Sequence, residues 1–255
     1  MTNKLLELRN INKSFGMINA LNNVSMYVDK QEIVGLLGDN GAGKSTLIKT
    51  ISGVHSPDIG EIWLRGKKID RWDVATARFS GIETVYQDRA LARQQTIVDN
   101  IFMGREIINR FGFVNQHKQV AEADRLMREI GFTSMLLSPY SQVINLSGGE
   151  QQGIAIARAL YFNAELILLD EPTTALSLHE TYKVFGFARK ARDDGSSILF
   201  ISHNIYHAWD LCDRFVILDR GTVTMQVSKA EMKSAEGLIH TMEEVARSGK
   251  VGGRD

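Results

Sequence analysis

Gly38-Asp39-Asn40-Gly41-Ala42-Gly43-Lys44-Ser45-Thr46 follows the apolar run Ile33-Val34-Gly35-Leu36-Leu37 and opens into Leu47-Ile48-Lys49-Thr50-Ile51. Strand, glycine loop and helix form the context that the pattern G-x-x-x-x-G-K-[ST] needs to bind phosphate. Glycines let successive backbone N–H groups turn inward as a nest for anionic oxygens. The helix adds its unpaired N-terminal donors and the positive end of its dipole. In that setting Lys44 reaches β- and γ-phosphates, Ser45 can ligate Mg²⁺, and Thr46 is placed for an α-phosphate oxygen. The competing reading is an ordinary glycine-rich turn before a helix, which the flanking strand and helix disfavour.

Working outward, the bulk of the chain bounds what such a site can serve. At 255 residues it sits at the upper end of one domain, or is one domain with inserted lobes. Thirty basic residues balance thirty acidic ones, so no global field favours nucleic acid or an anionic membrane surface. Cys212 is the single cysteine, which excludes an internal disulfide or a thiolate metal cluster and fits a reducing compartment. Met1-Thr2-Asn3-Lys4 runs straight into a strand-like stretch, so no signal peptide is expected. No window approaches eighteen apolar residues, and any work at a membrane passes through a partner.

Upstream of the loop, Leu5 to Ile11 and Val24 to Val28 read as strands, with Lys13-Ser14-Phe15-Gly16 as a turn between them. Downstream, Ser56 to Gly60 is a turn, Glu61 to Leu64 a strand and Arg65-Gly66 its close. This predicts an early antiparallel β lobe. Thr84-Val85-Tyr86-Gln87 reads as a short β segment, and Ile97 to Leu137 as helical. Val120, Ala123, Met127 and Ile130 form an amphipathic stripe ahead of Gly131 as C-cap. Residues 88–145 are thus expected to be an inserted helical lobe between core segments 1–87 and 146–227. Gln151 to Phe162 and Leu178 to Arg192 read as helices, and Leu166 to Leu169 and Ile198 to Ile201 as strands buried on both faces. Phe215 to Leu218 and Thr222 to Met225 form a hairpin, Lys229 to Arg247 is helical, and Ser248 to Asp255 is a frayed tail. Alternating buried strands and helices predict an α/β parallel sheet with its ligand at the carboxyl ends of the strands.

Four further features bear on chemistry. Asp170 and Glu171 close an apolar strand, where the Asp can hold Mg²⁺. By strand alternation Glu171 then faces a water attacking a γ-phosphate. A pair of helix N-terminal acids ahead of Pro172 is the plainer alternative. His203 follows the next buried strand and either senses the γ-phosphate or is structural. Leu146-Ser147-Gly148-Gly149-Glu150 is a second possible anion concavity, although spacing alone favours a capping box between Ser147 and Glu150. Phe15 by itself reads as a packing residue.

The phosphate loop, Leu146–Glu150, Leu166–Pro172 and Ser202-His203, in this order, resemble the ATP-binding cassette (ABC) ATPases that power transporters. The resemblance reaches from the N-terminus to about Val227 and implies a P-loop NTPase core of RecA-like type. It carries an N-terminal antiparallel β lobe and an inserted α-helical lobe. It implies ATP and Mg²⁺ as cofactors. It also puts Phe15 on adenine, Gln87 between the metal site and the helical lobe, Glu171 as general base and His203 as the switch residue. Ser147, Gly148, Gly149 and Glu150 would then cover ATP held on the phosphate loop of another subunit, either an identical copy or a paralogue.

Two positions depart from the family pattern. Ser177 stands where Ala-Leu-Asp usually ends, across the dimer interface, and Gly153 where an Arg commonly follows the two glutamines. Val85 to Asp88, Asp99 to Glu106 and Ser202-His203-Asn204 look like the cassettes of bacterial monosaccharide importers. That implies membrane-spanning permease subunits, an indirect solute-binding protein and a place at the cytoplasmic face of the membrane. The alternatives are a soluble cassette acting on nucleic acid or ribosomes, a binding module without turnover, and a small-molecule kinase. Zero net charge and the lack of a basic run or long coiled coil weigh against nucleic acid.

Overall fold

The structure is a computed structural model and describes residues 3–88, 90–130, 132, 137–162, 164–174 and 176–248. The chain divides into two compact units. One comprises Met1–Thr84, Glu165–Glu171 and Ala188–Asp255; the other comprises Val85–Ala164 and Pro172–Phe187.

In chain order the elements begin with β1 (Lys4–Phe15), β2 (Ile18–Asp29), β3 (Ile33–Leu37), α1 (Lys44–Ile51), β4 (Ile59–Leu64) and β5 (Lys67–Ile69). Then come α2 (Val74–Phe79), β6 (Ile82–Val85), α3 (Ile97–Phe102), α4 (Gln116–Glu129), α5 (Gly148–Tyr161) and β7 (Leu166–Asp170). The last are α6 (Leu178–Asp193), β8 (Ser197–Ile201), α7 (Ile205–Leu211), β9 (Arg214–Asp219), β10 (Thr222–Ser228) and α8 (Ala235–Ser248).

The first unit is built on two sheets. One is antiparallel in the order β2-β1-β4-β5. The other runs β10-β9-β3-β8-β7-β6, with β9, β3, β8 and β7 mutually parallel and β10 antiparallel at one edge. The fold is therefore α/β with a separate antiparallel lobe, as the sequence predicts. Apart from Ser197 and Asp170, β3, β7 and β8 are apolar, and every residue but Asp170 is buried, the pattern of strands covered on both faces. One hydrophobic cluster joins Leu6, Leu8 and Val28 of the antiparallel sheet to Leu36, Leu168, Leu199 and Val216 of the parallel one. Beside it Arg214 lies over the Tyr27 ring at 4.0 Å and pairs with Glu32 at 2.7 Å, both ends largely buried.

The second unit packs α3, α4 and α5 around Ile97, Ile101, Phe102, Leu126 and Ile154. Ala123 and Met127 of the expected stripe are buried in this cluster, and Val120 and Ile130 pack against it half-buried. Gly131 lies outside the described residues, as do residues 249–255 of the expected tail.

Several expectations need correction. Helix does not run from Ile97 to Leu137, because α3 stops at Phe102 and α4 starts only at Gln116. Between them the Asn109 side chain accepts from the backbone N–H groups of Phe111 (2.8 Å) and Phe113 (3.1 Å). That competes locally with helical hydrogen bonding, and a bridge forms between Ile108 and Val114 instead. Lys13-Ser14-Phe15 belongs to β1 and not to a turn; only Gly16 and Met17 separate Phe15 from its partner Ile18. β6 ends at Val85, so Tyr86 and Gln87 lie beyond the strand. α5 starts at Gly148, three residues earlier than the apolar pattern indicates, since Ser147 caps it. Lys229–Glu231 is a single turn of 3₁₀ helix ahead of α8.

Candidate nucleotide site

The phosphate loop leaves the carboxyl end of β3 and enters α1 directly. Gly43 takes the cap position with φ 104°, a left-handed backbone, and a Cβ there would sit 2.7 Å from the carbonyl oxygen of Ala20. Only glycine fits that corner. No side chain caps α1, which leaves its first N–H groups to an outside acceptor. Asp39, Asn40, Gly41 and Ser45 are exposed, Thr46 is half-buried, and Ala42 is buried. The Lys44 side chain folds back into the loop and donates from Nζ to the carbonyls of Gly38 (2.5 Å) and Asp39 (3.0 Å). These acceptors are neutral, so a phosphate oxygen is a stronger partner for the same ammonium.

The sheet then brings two more loops to the same edge. Leu36 on β3 pairs in register with Ile201 on β8, which is also level with Asp170 on β7. Strand spacing of about 4.8 Å places the three strand ends within about 10 Å of one another. Asp170 ends β7, and Glu171 follows with φ 50°, a left-handed conformation uncommon outside glycine. Strand alternation therefore does not aim Glu171; a turned backbone does, pinned by the hydrogen bond from Glu171 N–H to the carbonyl of Ile201 at 3.0 Å. His203 follows β8, and its Nδ1 lies 2.6 Å from Oε2 of Glu171. The imidazole is more than half exposed while the carboxylate is mostly buried. Neighbouring Asn204 caps α7 through the N–H of His207.

Phe15 is 44% exposed, too open for a core residue, and is held edge-on by His55 at 5.1 Å between ring centroids.

The second unit carries Ser147–Glu150 at the start of α5. The capping box is present: Ser147 Oγ accepts from Glu150 N–H, and Glu150 Oε2 accepts from Ser147 N–H at 2.7 Å. Gly149 N–H is engaged as well, donating to Glu180 Oε1 at 3.0 Å. Glu180 Oε2 in turn accepts from the N–H (2.9 Å) and hydroxyl (2.8 Å) of Ser177. Ser177 thus works as a local cap of α6. Backbone and hydroxyl donation from Ser177, with help from Gly149 N–H and Lys183, holds the Glu180 carboxyl below the usual carboxylate range. Sequence reading missed Glu180, although Ser177-Leu178-His179-Glu180 carries the S-x-x-E capping signal. Gly153 lines an adjoining pocket of about 360 Å³ with Ile130, Phe132, Glu180 and Phe187. A Cβ at Gly153 would come 3.2 Å from Ile130, so a larger residue there would press on the apolar wall. Gln87 lines a separate groove with Gly148 and Gln151.

A family model described as ABC transporter matches residues 21–174. The chain is also 46% identical over 232 residues to a xylose/arabinose import ATP-binding protein of Sulfolobus acidocaldarius, covering 91% of each chain. The chain belongs to the ABC transporter family. Among its ABC relatives is a ribose import ATP-binding protein of Caldanaerobacter subterraneus subsp. tengcongensis, 36% identical over 228 residues. The match takes in 89% of this chain and 45% of that one, so this cassette spans about half the length of that relative. A dimeric ATP-binding cassette solved in a post-hydrolysis state with ADP and Pi superposes with a TM-score of 0.77 at 26% identity, covering 88% of this chain and 99% of that one. A nucleotide-free ATP-binding cassette gives the same fold, with a TM-score of 0.77 at 24% identity and coverage of 94% and 95%. The ABC cassette described here is accordingly an ATPase, and nucleotide is its ligand.

Proposed function

We propose that this cassette is the ATP-hydrolysing subunit of a membrane importer for a monosaccharide, working at the cytoplasmic face of the membrane. The observation that carries the reading is the 2.6 Å pairing of Glu171 with His203, on the sheet edge from which the phosphate loop leaves. Backbone N–H groups from Gly38 to Thr46 bind the phosphates, Lys44 turns from the loop carbonyls to the β- and γ-phosphates, and Phe15 stacks on adenine. Ser45 and Asp170 are oxygen donors of the kind Mg²⁺ takes, and the ion would neutralise charge on the phosphates. The Glu171 carboxylate accepts a proton from the attacking water, and His203 holds that carboxylate and registers the γ-phosphate. Gln87 is assigned to the metal by family resemblance.

A second copy of the chain, or a paralogue, presents Ser147, Gly148, Gly149 and Glu150 to the same nucleotide. Two cassettes then sandwich two ATPs, and closing and reopening them drives the membrane-spanning partners. The whole chain acts as one cassette: core, β lobe, helical lobe about 88–145 and C-terminal helix. Exposed Ile108, Phe111 and Phe113 in the second unit give a partner subunit apolar surface to cover. The import names of the pentose relatives support a sugar as cargo.

The test is uptake of radiolabelled xylose, arabinose and ribose in a strain lacking this chain. Complementation by the wild type and not by Lys44→Ala is expected for at least one pentose. Unchanged uptake of all three sugars in the deletion strain would overturn the sugar assignment.

A further inference from the structure

The geometry points to Glu180 as an internal competitor for the γ-phosphate at the start of α5: its carboxylate holds the Gly149 N–H until ATP carried by a second copy displaces it. This rests on the reading that α5 meets nucleotide bound by another cassette.

Three observations support it. First, Gly149 N–H is one of the orphan donors that a helix N-terminus offers an anion, and Glu180 Oε1 already accepts from it at 3.0 Å. Second, the carboxylate lies tight against the glycine. A Cβ built on Gly149 would fall 2.1 Å from Oε1, so the carboxylate packs directly on the glycine, and Oε1 occupies the place from which another acceptor would take the N–H. Third, the displaced carboxylate has somewhere to go. Lys183 is three residues on, the spacing at which side chains of one helix meet, and both line the same pocket of about 360 Å³.

The contact also gives Ser177 a role. By donating its N–H and hydroxyl to Oε2, Ser177 fixes the rotamer that aims Oε1 at Gly149. One carboxylate therefore ties the caps of α5 and α6 together, and opening it costs the cassette charged hydrogen bonds. ATP-driven pairing must offset that cost.

The experiment compares chains in a Glu171→Gln background, where bound ATP persists, by sedimentation of the dimer at increasing protein concentration. Glu180→Gln keeps a cap acceptor for Ser177 but loses the charge. It is expected to strengthen ATP-dependent pairing about three- to tenfold. Ser177→Ala, which removes the hydroxyl donor to Glu180 and leaves the backbone N–H, loosens the carboxylate and is expected to act in the same direction, more weakly. ADP affinity of the monomer should stay within twofold in both, which verifies the fold of the phosphate loop. Unchanged or weaker pairing in both variants, with ADP affinity retained, would overturn the competitor role while leaving the sandwich in place. Absence of ATP-dependent pairing in every chain would overturn the sandwich and this inference together.

Discussion

Replacing Glu171 by Gln changes one oxygen for an amide group and nothing in the length of the side chain. The Glu171 backbone sits at φ 50°, and Gln, like Glu, carries an unbranched Cβ, so the strain of the turn is the same in both chains. The side chain is 12% exposed, with His203 Nδ1 at 2.6 Å, and an amide can keep that contact through its oxygen or its NH₂. Folding should therefore shift by less than about 0.5 kcal/mol. What disappears is the capacity to take a proton from water. Loss of a positioned general base lowers turnover about 10²–10⁴-fold. At about 1.36 kcal/mol per factor of ten, that raises the barrier by about 2 × 1.36 = 2.7 to 4 × 1.36 = 5.4 kcal/mol. Phosphate release at saturating ATP gives kcat, and equilibrium binding of a fluorescent ATP analogue reports the ground state. The expected result is a kcat at most one-hundredth of wild type with nucleotide affinity within threefold. A variant turning over within twofold of wild type would refute the assignment of Glu171 as base.

Two other outcomes follow from the same geometry. Arg214→Met removes the partner of Glu32 inside the first unit, together with the hydrogen bond to Tyr27 O at 2.7 Å. Stranding that buried carboxylate should cost about 3–5 kcal/mol, measured by urea unfolding monitored by tryptophan fluorescence, whereas a loss under 1 kcal/mol would mean water reaches Glu32. The second concerns pH. The Glu180 carboxyl is held below its ordinary value near 4.5, chiefly by donation from Ser177. A depressed folded value means that its stabilisation is fully present above the ordinary carboxylate value and is lost as pH falls through the folded one. Wild type should thus melt above Glu180→Gln at pH 7, with the gap closing below about pH 4; a gap independent of pH would remove the charge from the explanation.

Local chemistry made much of this fold legible. The apolar runs Ile33–Leu37, Leu166–Leu169 and Ile198–Ile201 can be satisfied only in a sheet covered on both faces, and all three are buried strands of one sheet. The glycine loop between strand and helix was legible from its own residue pattern, although its corner at Gly43 is closed by the Ala20 carbonyl on β2, which the pattern does not show. Reading failed where one side chain overruled a periodic pattern. Asn109 redirects the backbone between α3 and α4, and Ser147 starts α5 ahead of its apolar stripe. Both effects are local hydrogen bonds that hydrophobic periodicity does not register.

By itself, then, the sequence determined the phosphate loop, the α/β class and the residue types that meet at the strand ends. Those depend on φ freedom at glycines, on burial pattern and on which groups can donate or accept. Tertiary structure alone decided the rest. Parallel register set Leu36, Ile201 and Asp170 level, and a left-handed turn after β7 put the Glu171 carboxylate on His203, thirty-two residues away in the chain. The contact of Glu180 with Gly149 joins two helix caps thirty-one residues apart, a pairing that spacing does not encode because each cap is complete without the other.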